Sequence, residues 1–449
     1  MPIDDQHAAR YASAMRSADL QREHFEMLME SQYWPADRLL DYQRTQLEHL
    51  VRHAKANVPF YENRLDRLFS PFGTIDWDQW TKLPILTRQD LADHREAMLA
   101  GNLPPHHGAT KSFSTSGTTG DPVTITQNRF ATATSNAAMF RAHTWHGIDW
   151  SKRLCYRSIL DPEIAPWPKG IERGPWGAPW AQGTVMGRRF DVNQFAGTEN
   201  TLEFLERNRI DYLINGPNSV QVLALEAMRL GISIKLDRIM LHGGGASDAC
   251  REACRDAFGA EIIPLYSSKE GHRMAYTCPT GNHYHVHDEN LLIEIVDDDG
   301  VPCAPGEVGR IVVTPFYSTA QPLIRYDHGD LAIAGVPCGC GRTLSVLQEI
   351  MGRAGDIFRL PDGRHIYRRL PDSLRKVLGA SRWQIAQVGP SDLELRYVPT
   401  DEAAQGDEAA VADAVRDCYD GDFAVSIARV AEIQPAVSGK FSEYVSELA

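Results

Sequence analysis

Residues 201–266 alternate helix-like and strand-like stretches, and that alternation limits the fold more than any other feature of the chain. A helix is expected over 201–209, a strand over 212–214, and a second helix over 219–230 whose Val220, Leu223, Ala224 and Ala227 share one face. A strand over 238–241 follows, then the Gly243-Gly244-Gly245 turn, a helix over 247–257 and a strand over 262–266. Strands separated by helices pair in parallel, because a crossover helix is what returns the chain to the same end of the sheet. In such sheets ligands bind beyond the carboxyl ends of the strands, so the residues that close each strand are the first candidates for function.

On either side the pattern differs. A helix is expected over 39–56, where Leu47, Leu50, Val51 and Ala54 recur at helical spacing, and Val58-Pro59 ends it. Residues 1–35 are polar with scattered aromatics and read as helix on the surface. Thr87 is the expected N-cap of a helix after the Leu83-Pro84-Ile85-Leu86 connector, and 131–143 is a helix of small residues. Residues 155–190 carry Trp167, Trp176 and Trp180 among many glycines and prolines, so regular structure throughout is not expected. Beyond 290, strands 291–296 and 310–314 flank the acidic turn Asp297-Asp298-Asp299-Gly300 and read as antiparallel. A second change falls near Gly352. The expected fold is α/β: a large domain, 1–352, with parallel sheets flanked by helices, and a small α+β domain, 353–449, on a hinge.

A net charge of −13 argues against a nucleic-acid partner. No run of 18 apolar residues marks a membrane span, and Met1-Pro2-Ile3-Asp4-Asp5 lacks the basic and apolar regions of a signal peptide. The expectation is a cytoplasmic protein. Its eight cysteines fit reduced thiols or a metal site better than a disulfide frame.

Four stretches carry candidate chemistry. Ser112-Phe113-Ser114-Thr115-Ser116-Gly117-Thr118-Thr119-Gly120 brings hydroxyls and glycines together, as a polyphosphate loop does, although no lysine follows Gly120 to make a Walker loop. A polar hairpin turn is the plainer reading. Tyr266-Ser267-Ser268-Lys269-Glu270 closes a strand with an aromatic ring, hydroxyls and a carboxylate. In Ile324-Arg325-Tyr326-Asp327-His328-Gly329-Asp330 an acid follows a tight glycine turn and suits two ribose hydroxyls. Near the end, Ser438-Gly439-Lys440 sets a lone lysine on a turn. Each alone also reads as structure: a core tyrosine, a capping aspartate, a solvated lysine. Separately, Cys278 with His283, His285 or His287, and the distant Cys338-Gly339-Cys340, have the composition of a closed tetrahedral zinc site.

In this order the stretches resemble the adenylate-forming superfamily of acyl- and aryl-CoA ligases, adenylation domains and luciferases, within it the phenylacetate-CoA ligase group. The likeness covers most of the chain, and Ser114-Thr115-Ser116-Gly117-Thr118-Thr119-Gly120 is its most specific part. It implies that Ser116, Thr118 and Thr119, with the backbone of Gly117 and Gly120, hold the β,γ-phosphates of ATP. Tyr266 would stack on adenine, with Gly243, Gly244 and Gly245 as a wall. Glu270 would bind Mg²⁺, Asp330 the ribose, and Arg353 phosphate or ribose, while Lys440 would bridge the substrate carboxylate and the α-phosphate. The metal set implied is Cys278, His285, Cys338 and Cys340 around a structural Zn²⁺. The chain departs from the group's pattern at Ser267, where glycine is frequent, and at Gly355 and 365–369 after the hinge.

By the same resemblance the acid lies among 138–145, 155–185 and 215–219, with Tyr156, Asn215, Pro217 and Gly243 at its pocket. The tryptophans and Tyr156 fit a flat acid or merely pin an irregular loop. Arg141 or His143 would meet a second acid group. The function implied is ATP-dependent activation of a carboxylic acid, aryl or arylacetic, followed by transfer to CoA. The alternatives are another acceptor (an amine or a carrier-protein thiol) and a non-catalytic nucleotide-binding protein on the same fold. A homodimer is left open.

Overall fold

Polar residues near the start of the chain find partners far away in sequence, and that sets how the N-terminal helices sit. The computed structural model describes residues 17–114, 123–161, 163–181, 186–353, 358–361, 365–366, 370–371, 373–401, 406–419, 423–434 and 443–448. Helix α1 (Ser17–Ser31) is not the surface helix expected: Leu28 is buried with Ala137 and Ala138. The Ser31 hydroxyl donates to Glu289 Oε1 at 2.5 Å, and His24 Nε2 lies 2.7 Å from Asn290 Oδ1, partners 258 and 266 residues distant. Paired in this way, polar side chains are buried without loss of their hydrogen bonds. Helix α2 (Ala36–Asn57) buries Leu47, Leu50, Val51 and Ala54 as its spacing requires.

Helix α3 (Arg88–Asp93) opens with a reciprocal cap: Thr87 Oγ1 accepts from Asp90 N at 3.1 Å, and Asp90 Oδ2 accepts from Thr87 N at 2.8 Å. Strands β1 (Thr110–Ser114) and β2 (Thr124–Asn128) pair antiparallel, Ser114 opposite Thr124. Helix α4 (Arg129–Trp145) starts where Asn128 Oδ1 accepts from Ala131 N at 3.2 Å.

The alternation becomes β3 (Leu154–Ser158), β4 (Ile171–Pro175), β5 (Arg188–Asn193), α5 (Thr198–Arg207), β6 (Tyr212–Asn215), α6 (Pro217–Leu230), β7 (Arg238–Leu241), α7 (Asp248–Phe258) and β8 (Glu261–Ser268). Strands β5, β3, β6, β7 and β8 lie side by side and parallel, with β4 antiparallel at the edge. Residues 155–190 therefore hold more regular structure than their glycines and prolines suggest. Two of the three tryptophans there are packing groups: Trp176 is buried with its Nε1 on Lys152 O at 2.6 Å, and Trp180 stands edge-on to Phe140 at 5.2 Å, whereas Trp167 is exposed. Helix α6 has Pro217 in its first turn and ends at Gly231, φ 64°, and it buries Val220, Leu223, Ala224 and Ala227 with Leu213 and Ile239.

Strand β8 changes partners halfway. Its residues Glu261 to Pro264 pair parallel with β7, whereas Leu265 to Ser268 pair antiparallel with β9 (His272–Thr277). Then come β10 (Tyr284–Val286), β11 (Leu291–Val296), β12 (Val308–Pro315), β13 (Tyr326–Ala334) and β14 (Val346–Arg353), all antiparallel, in the spatial order β9-β10-β14-β13-β12-β11. One mixed sheet of 12 strands results. Asp330 is not behind a tight turn as expected: Gly329, φ 77°, lies within strand β13.

After the short pair β15 (Phe358–Arg359) and β16 (His365–Ile366), a separate sheet of four strands forms from β17 (Ala380–Gly389), β18 (Asp392–Pro399), β19 (Ala424–Arg429) and β20 (Tyr444–Ser446). Helices α8 (Ser373–Leu378) and α9 (Glu408–Cys418) accompany it, and Trp383, Ile385, Leu395, Val411 and Val415 form its own core. Among the described residues no helix is long and apolar enough to cross a membrane.

Candidate active site

β3 and the carboxyl ends of β6 and β7 carry the four expected acid-pocket residues, Tyr156, Asn215, Pro217 and Gly243. Tyr156 faces His242 with ring centroids 5.7 Å apart. Asn215 is buried. Its Oδ1 accepts from Gly216 N at 2.8 Å, while its Nδ2 has no partner among the described residues. A buried amide N–H left without a partner is costly, and such groups concentrate where ligands bind. Pro217 opens α6 beside it; a Cβ on Gly244 would stand 3.2 Å from the Pro217 ring, and Gly243 has φ 77°. Arg157 holds this edge, with Nη2 on Gln194 O at 2.9 Å and Nη1 on the Ser219 hydroxyl.

Where the Tyr266 side chain of β8 reaches β13, a second group is locked together. The Tyr266 hydroxyl donates to Asp330 Oδ2 at 2.8 Å, and His328 Nδ1 reaches the same oxygen at 2.7 Å. Arg353, the last residue of β14, places Nε 3.1 Å from Asp330 Oδ1 and donates Nη1 to His328 O at 2.8 Å. Burial alone would raise the Asp330 carboxyl. His328, Arg353 and the phenol outweigh it and hold the group down to about 2. Asp330 is therefore an anion at any working pH. Tyr266 itself is buried, its phenol pushed up by burial first and then by the Asp330 charge.

Glu270 lies on the turn from β8 to β9, half-buried, with no hydrogen bond or ion pair among the described residues. Its charge is felt by Tyr266, Tyr326 and Arg353. The same turn is tied to the β1–β2 hairpin: Lys269 Nζ donates to Ser114 O, and Gln127 Nε2 donates to Lys269 O at 2.7 Å. Both strands that flank the Ser/Thr/Gly stretch are thus anchored beside Glu270. Ser116, Gly117, Thr118, Thr119 and Gly120 lie outside the described residues, as does Lys440.

The cysteines and histidines converge. Ligand atoms of Cys278, His283, His285 and Cys338 all lie within 4.8 Å of one another. Cys278 Sγ is 3.8 Å from Cys338 Sγ, and Cys340 Sγ is 3.3 Å from His285 Nε2. His287, one of the three histidines left open by the sequence, turns away: its Nδ1 meets Arg141 Nη2 at 2.7 Å.

Two expectations fail. Arg141 does not face a second acid group of the substrate; it is fully buried in an ion pair with Glu289, Nη1 to Oε1 2.6 Å and Nη2 to Oε2 3.1 Å. His143 does not either, because burial drives its imidazole down to about 3 and Trp150 Nε1 lies 3.2 Å from its Nδ1. Sequence reading also missed His328. The signal was present: it stands two residues before Asp330 in a strand, hence on the same face.

No family model matches the chain. It is 25% identical over 341 residues to a phenylacetate-coenzyme A ligase of Thermus thermophilus, covering 72% of each protein. It is 26% identical over 343 residues to the phenylacetate-coenzyme A ligase of Escherichia coli, again 72% of each. Among solved structures, 2-hydroxyisobutyryl-CoA ligase in the postadenylation state superposes with a TM-score of 0.72 at 19% identity, covering 93% of both chains. An anthranilate CoA ligase bound to anthranoyl-AMP gives a TM-score of 0.54 at 16% identity over 76% of this chain and 66% of that one. These likenesses show the adenylate-forming ligase fold and, in sequence, homology to phenylacetate-coenzyme A ligases.

Proposed function

We propose that the protein is an AMP-forming acid–CoA ligase. It activates a carboxylic acid, aryl or arylacetic, with ATP to an acyl-adenylate, releases pyrophosphate, and passes the acyl group to CoA. The observation that carries the reading is the ionised, buried Asp330, held by Tyr266, His328 and Arg353 next to Glu270, which has no hydrogen bond or ion pair among the described residues. An anion of fixed position accepts two ribose hydroxyls, and a free carboxylate beside the flanks of a Ser/Thr/Gly loop suits a magnesium ion on ATP.

In the first half-reaction the acid carboxylate attacks the α-phosphate. Both are anions, so the transition state needs positive charge between them. Lys440 is assigned that role from its place in the sequence. A bound Mg²⁺ supplies further neutralisation of the phosphate oxygens. We divide the chain into a large domain, 1–352, and a mobile small domain, 353–449; the separate C-terminal sheet with its own core supports this. Rotation of the small domain would withdraw Lys440 and admit the CoA thiol. Eight cysteines, none of them in a disulfide, support a reducing compartment, the cytoplasm.

His328 is expected to act through Asp330. His328→Ala removes a hydrogen bond to a charged group, about 1.5–3 kcal/mol, and should raise KM for ATP roughly ten-fold or more with KM for the acid unchanged. Equal rises in both constants would assign His328 to folding alone.

The Cys/His cluster fits a closed structural zinc. Two thiolates on one tetrahedral zinc, with bonds of about 2.3 Å, stand about 3.8 Å apart, and Cys278 and Cys338 are at that separation. We assign Cys278, Cys338, His285 and Cys340 as ligands, with His283 the competitor of Cys340. Cys338→Ser is expected to remove about one equivalent of zinc and lower the thermal midpoint while leaving KM for ATP unchanged; full zinc content in that variant would reject the assignment.

The direct test of function is pyrophosphate release from ATP and Mg²⁺ over a panel of aryl and short aliphatic acids, with and without CoA. CoA-dependent AMP formation supports the ligase. The departure at Gly355 leaves one competing acceptor reading, which release stimulated by an amine or a carrier-protein thiol but not by CoA would favour. ATP binding with no release from any acid would favour a non-catalytic protein.

A further inference from the structure

One cation beside the site has no counter-ion among the described residues. Arg273 stands near the start of β9, three residues after Glu270, and points its guanidinium at α4. Its Nη1 donates to Asn136 Oδ1 at 2.9 Å and lies 3.3 Å from Ser135 Oγ; the Tyr276 hydroxyl is a further contact. All three acceptors are neutral. No carboxylate lies within ion-pair distance of Arg273 among the described residues, and Glu289, the buried carboxylate on this side of α4, is committed to Arg141. A half-buried guanidinium with five donors and no anion is poised for one.

Arg273 also borders a cavity. Ser135 and Thr134 of α4 form one wall, Gly271 and His272 the second, and Asn290 and Ser318 the third. The space is about 10 Å³, enough for one water-sized group. An aryl ring does not enter it; one oxygen of a substituent does. The other polar groups of the wall are already satisfied: Asn290 by His24 and by Thr134 O, His272 Nε2 by Ser318 Oγ at 3.2 Å. His272 has φ 60°, a strained conformation for a residue with a side chain, and such strain gathers at ligand sites. The charge of Arg273 is also felt by His143 and His272, which burial keeps neutral, so neither competes for an anion.

We propose that the cavity is the far end of the acid-binding site, and that Arg273 with Ser135 binds a second, anionic group of the substrate, so that the preferred acid is a dicarboxylic one. This rests on the acid–CoA ligase reading for the identity of the ligand. It also moves the role first expected of Arg141 and His143 to a residue the sequence gave no reason to select.

The test measures binding without turnover. Calorimetry on the full chain would compare phenylacetate, benzoate and butyrate with the three carboxyphenylacetates, the three benzenedicarboxylates and glutarate. At least one dicarboxylate is expected to bind ten-fold or more tightly than its parent acid. That ratio should fall to about one in Arg273→Gln and be partly kept in Arg273→Lys. Ser135→Asp, which sets a carboxylate of the protein next to Arg273, should abolish the preference too, and serves if Arg273→Gln does not fold. A wild-type ratio near one for every pair, or a preference that survives Arg273→Gln, overturns the proposal. Equal loss of mono- and dicarboxylates in Arg273→Gln also overturns it, since Arg273 would then serve the reacting carboxylate. An Arg273-dependent preference in a protein that releases no pyrophosphate would sink the ligase reading and leave this one standing.

Discussion

Lys440→Ala is expected to lower acid-dependent pyrophosphate release by about 10²–10³-fold, the range found when one preorganised group that stabilises developing charge is removed. The acid carboxylate and the α-phosphate repel each other as they approach, and the reaction is fast only if a cation lies between them. ATP affinity should change little, because on the proposed reading Asp330 holds the ribose and the Ser/Thr/Gly stretch the phosphates. Thioester formation from a supplied acyl-adenylate and CoA should also survive, since that step has no anion-on-anion attack at phosphorus. A fall in release of less than ten-fold would remove Lys440 from the adenylation step, and equal loss of both half-reactions would make its role structural.

A stability effect of comparable weight belongs to the Arg141–Glu289 pair. Both side chains are fully excluded from water and meet through two contacts of 2.6 and 3.1 Å. Ser31 donates to the same carboxylate, and Arg141 reaches Leu28 O at 3.2 Å, so the pair ties α1, α4 and the segment after β10 together. Glu289→Ala leaves the guanidinium buried without its anion and should cost about 3–5 kcal/mol. Arg141→Met with Glu289→Leu removes both charges and should recover most of that loss, because the desolvation of two ions disappears with their attraction. Urea unfolding at pH 7 on the two variants is the measurement. A single replacement that costs under 1 kcal/mol would show that water reaches the pair.

Those two residues also mark where sequence reading stopped. Arg141 was read as a group free to meet substrate because it stands on a helix expected near the acid. Its partner lies 148 residues downstream, and no local pattern connects them. His24 and Asn290 are the same case, and so α1 was read as a surface helix. His328 was within reach of the period-two rule, yet a glycine next to it suggested a turn and hid the strand.

What the sequence determined by itself is what depends on near neighbours. The apolar period of α6 and the turn residues after each strand were enough for the parallel half of the sheet. The Thr87 cap follows from four consecutive residues. These features are legible because hydrogen bonds within a helix turn, and side-chain alternation within a strand, are set by residues a few positions apart. Only the tertiary structure decided which charges are satisfied. Pairing Arg141 with Glu289, fixing Asp330 between Tyr266, His328 and Arg353, and leaving Arg273 without an anion among the described residues are outcomes of how distant segments meet. The energy of a buried charge depends on every group around it rather than on its place in the chain.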